Sequence, residues 1–159
     1  MVSRAEIAEW LAHWSAHNHG GALVLSAADT CSFVVEQMPM QLTWKQEQQA
    51  LLLAALPLDE DIGGEAATLR ALLEWCHLGE RSARIAASLA SSGRPVLWWW
   101  SSGEALDGNQ LFNALTNFAI TAQNARELLI ATRGAAPRPE HAPSFSATQP
   151  PTFPGLIRA

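Results

Sequence analysis

Apolar residues recur along this chain with two different periods, and each change of period marks a new element. Ile7, Trp10, Leu11 and Trp14 follow the three-and-four spacing of one helix face. Ser3 and Glu6, just ahead of them, have the spacing of a capping box, in which a hydroxyl and a carboxylate each satisfy a free backbone N–H of the first turn. The pattern stops at Asn18-His19-Gly20-Gly21. From Ala22 the period shortens. Leu23 to Leu25 can form a short strand, Ala27 to Thr30 a turn, and Cys31 to Gln37 a strand with Cys31, Phe33 and Val35 on one face, ended by Pro39. Met40, Leu42 and Trp44 alternate with Gln41, Thr43 and Lys45, the signature of a half-buried strand. A polar loop at Glu47 to Gln49 leads into Leu51 to Leu56, apolar on both faces, and the segment from Pro57 through Asp59-Glu60-Asp61 to Gly63-Gly64 closes this meander.

A second helix is expected from about Glu65 to Leu78, with Leu69, Leu72, Leu73 and Cys76 on one stripe, Trp75 off it and Leu78 nearly opposite. Two apolar sides place such a helix between layers or at an interface. Ile85 to Leu89, a Ser91-Ser92-Gly93 turn and Val96 to Trp100 read as a hairpin. Asp107 and Gln110 can cap a long last helix to about Thr132, whose stripe is Leu111, Phe112, Leu115, Phe118, Ala119, Ala122 and Leu129. The composition then turns to Pro, Ala, Ser and Thr. The expected division is an α+β domain over residues 1–133 and a disordered tail over 134–159, in which Phe153-Pro154-Gly155-Leu156-Ile157 is a candidate short linear motif.

Trp98, Trp99 and Trp100 sit together on the last strand. Alternate strand residues point to opposite faces, so Trp98 and Trp100 go with Val96, and Trp99 goes with Leu97. Both faces are therefore apolar. One layer of helices covers one of them, and the other calls for a second layer or a second molecule.

Composition sharpens this picture. The 159 residues fit one domain, and 48% hydrophobic against 16% charged residues is apolar enough to favour a buried interface. A net charge of -5 with scattered basic residues argues against nucleic acid as a partner. No apolar run approaches the ~18 residues of a membrane span, and the N-terminus does not read as a secretory signal. Cys31 and Cys76 match no metal or redox spacing and are expected as free thiols in a reducing cytosol.

Catalytic signatures are missing: the sequence has no phosphate-binding Gly-rich loop with Lys-Ser/Thr, no Gly-x-Ser-x-Gly and no His-Glu-x-x-His. His13 and His17 are one helical turn apart, close enough in principle for a metal, but without acidic or Cys partners they read as surface histidines. Cys76 and His77 are neighbours on a helix and point about 100° apart, which does not suit a nucleophile pair. Asp59-Glu60-Asp61 lacks the alternate spacing of a calcium loop and reads as solvated. No catalytic residue, cofactor or metal is expected.

The order helix, three antiparallel strands, helix, two strands, long C-terminal helix resembles the class I chaperones of bacterial type III secretion, the CesT or Tir-chaperone family. The likeness covers about residues 3–132. It rests on Thr30 to Glu36 as first core strand, Leu51 to Leu58 as third, the Leu69 to Leu78 helix, and the final strand pair leading into Leu111 to Leu129. The Trp-rich last strand and the Pro-rich tail depart from the family's general pattern. The resemblance implies a cytoplasmic bacterial homodimer, its helices packed on a twisted antiparallel sheet. Such a dimer binds an extended N-terminal segment of a secreted effector without ATP, keeps it non-globular and helps deliver it, with the secretion ATPase as a further partner. It maps effector binding onto Trp10, Trp14, Phe33, Val35, Leu42 and Trp44. Dimerisation maps onto Leu69, Leu72, Trp75, Leu78, Leu97 and Trp99.

Two other readings compete. A helix-grip domain, binding a small apolar ligand or acting as an enzyme, would close a cavity between a long C-terminal helix and a curved sheet, but it needs more and longer strands than this pattern supplies. An adaptor would carry its function in the tail, and removing the residues after Gly134 would abolish partner binding.

Overall fold

The structure, a computed structural model, describes residues 1–18, 22–77, 85–102 and 106–135. Three helices and five strands follow the order α1 (Arg4–Asn18), β1 (Thr30–Val35), β2 (Met38–Lys45), β3 (Ala50–Ala55), α2 (Ala66–His77), β4 (Ala86–Leu89), β5 (Pro95–Ser102) and α3 (Gly108–Ala135). The strands form one antiparallel sheet in the order β1-β2-β3-β5-β4. This is the expected α+β architecture. The expected strand at Leu23 to Leu25 is instead irregular chain, with Leu25 buried. Of the Pro-rich segment, Gly134 and Ala135 complete α3, and the linear motif at 153–157 lies outside the described residues.

Local chemistry sets the helix starts. The Ser3 amide and hydroxyl both donate to Glu6 Oε2, at 2.8 and 2.7 Å, and the Glu6 amide donates back to Ser3 Oγ at 3.3 Å. Free N–H groups of the first turn are thereby satisfied by side chains. Asp107 and Gln110 repeat the exchange at the head of α3, the Gln110 amide to Asp107 Oδ1 at 2.8 Å and the Asp107 amide to Gln110 Oε1 at 3.2 Å. Arg4 then ties α1 to the turn before β1 through Asp29, at 2.7 Å, and the Leu25 and Ser26 carbonyls.

The β1–β2 connection is tighter than the sequence suggests. Glu36 and Gln37 both take positive φ, 48° and 68°, and make the two-residue turn themselves. Pro39 therefore does not end β1. It sits inside β2 opposite Val34, and its carbonyl accepts from the Leu56 amide at 3.0 Å, just past the last β2–β3 pair of Met40 with Ala55. A missing N–H there costs one bond at the end of a ladder. At the β4–β5 turn Gly93 has φ +75° and its backbone lies where the Asp61 carboxylate leaves no room for a Cβ, which demands glycine.

The core lies between one face of the sheet and the helices. Cys31, Phe33, Met40, Leu42, Trp44, Leu51, Leu53 and Leu97 meet Ile7, Leu11 and Trp14 of α1, Leu72 and Trp75 of α2, and Leu111, Leu115, Phe118 and Leu129 of α3. Helix α3 packs on α1, α2 and β3. Filling is dense: Leu42, Leu53, Leu97, Leu111 and Leu115 are fully buried between this helix and the sheet. On α2 the buried stripe is Thr68, Leu72 and Trp75, so Trp75 faces the core, whereas Leu73 is turned to solvent.

Candidate functional site

Strand register decides which apolar residues the fold covers. On the helix side β5 presents Leu97 opposite Ala55 and Ala87, and Trp99 opposite Leu53. Leu97 is buried and Trp99 half-buried against the core. On the other side Trp98 lies between Ala54 and Ala86, and Trp100 lies opposite Leu52. Among the described residues no helix covers that side. Trp98 is partly sheltered by a small cluster of Ala54, Leu56 and Val96, and its indole N–H donates to Ser88 Oγ at 2.7 Å. Trp100 is 70% exposed.

The uncovered sheet face has two halves. Thr30, Ser32, Gln41 and Thr43 of β1 and β2 make one half polar except for Val34 opposite Pro39 at its end, while Leu52, Ala54, Val96, Trp98 and Trp100 of β3 and β5 make the other apolar. Strand β4 pairs only with Pro95 to Trp98, so Trp99 to Ser102 have no strand on that side among the described residues. Helix α2 lies against β4 and carries Leu73, which is 68% exposed. At the opposite edge β1 has β2 as its one partner strand among the described residues, the Thr30 carbonyl accepts from the Ser26 amide at 2.7 Å, and Val34 further along is exposed, as is Val24 in the segment leading to β1. A row of unpaired backbone groups beside apolar side chains is a template for an added strand.

The fold buries the residues expected to bind partners to different extents. Trp14, Phe33, Leu42 and Trp44 are buried in the chain's own core. Trp14 packs edge-on against Phe33, with ring centroids 5.7 Å apart, and its N–H donates to Thr116 Oγ1 at 3.3 Å. Only Trp10 and Val35 of that set keep accessible surface. Of the expected dimer residues, Leu72, Trp75 and Leu97 are likewise core, Leu69 and Trp99 are half-buried, and Leu78 lies outside the described residues. The physical reason is common to all. Alternation shows which residues share a face, but not which face receives the helices. Val24, Val34, Leu73 and Trp100, by contrast, are exposed apolar side chains. The signal for Trp100 was present in β2, whose polar Gln41 and Thr43 mark the open face, but carrying it across to β5 requires the register through β3.

Polar groups elsewhere serve the fold. Asp59 pairs with Arg94 at 2.7 Å, Glu60 and Glu65 with Arg133, and Asp61 accepts from the Gly63 amide at 2.7 Å, so the acidic cluster is engaged residue by residue. Burial is the main cause that pushes both the Cys31 and Cys76 thiols up, which disfavours the reactive thiolate. Among the described residues no helix is long and apolar enough to cross a membrane.

The model of the Tir chaperone protein (CesT) family matches residues 10–126. Among solved structures, a chain of the ExsC–ExsE complex aligns with a TM-score of 0.66 at 20% identity, covering 81% of this chain and 97% of that one. A chain of the HopA1–SchA chaperone–effector complex aligns at 0.60 and 18% identity, over 80% and 99% of the two chains. A chain of the heterodimeric ExoU–SpcU complex from the type III secretion system of Pseudomonas aeruginosa aligns at 0.56 and 17%, over 79% and 96%. At these identities the likeness speaks for the fold. No match was found among curated protein sequences.

Proposed function

The chain belongs to the Tir chaperone protein (CesT) family, and from that premise we propose that it is a non-catalytic cytoplasmic chaperone that holds the N-terminal segment of a type III effector extended and passes it to the secretion apparatus. The observation that carries the client side of this reading is the open β1 edge flanked by exposed Val24 and Val34, above a core that is already filled. A client strand laid along β1 gains main-chain hydrogen bonds and sets its side chains alternately beside exposed Val34 on the open face and half-buried Val35 on the helix face. The client pays its ordering entropy on binding, which keeps affinity moderate for the area buried and allows release.

The second apolar surface supports self-association. Trp98 and Trp100 on the open sheet face and Leu73 on α2 are proposed as the contact between two copies, with half-buried Leu69 and Trp99 contributing what surface they retain. The secretion ATPase is a further partner on this reading.

The test is a pull-down from the source bacterium with the full-length chain, followed by mapping of the client segment protected from protease. N-terminal segments of secreted proteins are expected, and Val34→Asp, at an exposed position, should release them while leaving the fold intact. Recovery of folded client domains, or retention unchanged by Val34→Asp, would contradict the assignment.

A further inference from the structure

The last two turns of α1 carry a pair of imidazoles that the chaperone reading does not use. His13 and His17 are both exposed, four residues apart on one helix face, with ring centroids 4.6 Å apart and planes inclined at 57°. His17 Nδ1 lies 2.9 Å from the His13 carbonyl oxygen. A carbonyl only accepts, so Nδ1 carries the proton and donates, and the lone pair of the neutral ring is on Nε2, away from the helix. The ring is held on another side by the edge-on contact with Phe112 of α3, centroids 6.4 Å apart and planes at 83°. A histidine whose second nitrogen donates to a backbone carbonyl is oriented as metal-ligating histidines are, with tautomer and ring direction set in advance.

From these contacts we infer that His13 and His17 form a two-imidazole site for a divalent transition ion of the nickel, copper or zinc class. The separation fits. With a metal–nitrogen bond of about 2.0–2.1 Å, each ring centroid stands ~3.2 Å from the ion, and a nitrogen–metal–nitrogen angle of roughly 90–110° puts the centroids about 4.5–5.2 Å apart. The observed 4.6 Å falls in that range before any ion is bound. His13, being exposed, brings its nitrogen into line by side-chain rotation. Among the described residues no third His, Cys, Asp or Glu completes the set, so water fills the remaining positions. Neutral imidazole selects these ions over magnesium and calcium, which require oxygen donors. The bound ion bridges consecutive turns and fixes the end of α1 where His17 meets α3.

Titration of the full-length chain with nickel chloride, followed by calorimetry, tests the site. One equivalent is expected to bind, with Cu²⁺ tighter than Ni²⁺ and no competition from Mg²⁺. His13→Gln and His17→Gln should each weaken binding by about tenfold or more, and His77→Gln should leave it unchanged. Both substitutions are at exposed positions, and far-UV circular dichroism checks that the helices are retained. As an independent readout, Cu²⁺ should broaden the NMR signals of residues 13, 17 and 112 first. An isotherm unaffected by His17→Gln, a site that depends on His19 but not on His13, or broadening centred elsewhere would overturn the inference.

Discussion

Trp14 and Trp44 are both buried on the covered side of the sheet, yet their indole N–H groups fare differently. Trp14 donates to Thr116, whereas the Trp44 N–H is buried with no partner among the described residues. Replacing either indole by phenyl removes a similar volume, but only Trp14→Phe breaks a hydrogen bond. Trp14→Phe should therefore be the more destabilising by about 1 kcal/mol in urea unfolding, and equal losses would show that the Thr116 bond contributes nothing. Glu6 adds a pH dependence. The Ser3 hydroxyl first, then the Ser3 amide, hold its carboxyl below the ordinary 4.5. Its contribution is present above that pH and is lost as acid carries the carboxyl through its lowered value. Glu6→Gln should flatten the acid side of the stability profile, and an unchanged acid slope would contradict the cap. Both capping boxes were legible in the sequence because their partners lie three residues apart. The burial of Trp14, Phe33, Leu42 and Trp44 was not, because it depends on which layer lies above them.

At the scale of the element, period was readable and register was not. Alternation along β5 correctly separated Trp98 and Trp100 from Leu97 and Trp99, since side-chain direction follows from the pleat alone. Which pair meets helices depends on pairing through β3, a long-range choice made by the packing of the whole sheet. Helix α2 shows the same limit: Trp75 joins Leu72 in the core and Leu73 turns outward, a rotation of the buried stripe that its mixed apolar positions do not specify. Pro39 was misleading for a local reason, because the left-handed pair Glu36 and Gln37 had already closed the turn. Leu97→Ala tests the assignment of faces. It should cost about 2–5 kcal/mol at every protein concentration, as expected for a truncation in a filled core. A loss that vanishes on dilution would place Leu97 at an interface instead.

At the scale of the whole molecule, one copy leaves apolar surface exposed. The 48% hydrophobic content supplies a core between sheet and helices and still leaves Trp100 and Leu73 exposed, with Leu52 and Trp98 of the open sheet face half-buried beside Trp100. The element order and the chaperone family were readable from the sequence because the succession of periods is a property of the chain as a whole. The division of apolar residues between the core and the surface left to a partner became visible only with the sheet order. Light scattering on the full-length chain at micromolar concentration is the most direct measurement of that division. The account predicts a particle of about 34 kDa, twice the 17.2 kDa chain mass, that falls to the monomer with retained secondary structure in Trp100→Glu. A 17.2 kDa particle for the unaltered chain, or a dimer indifferent to Trp100→Glu, would contradict it.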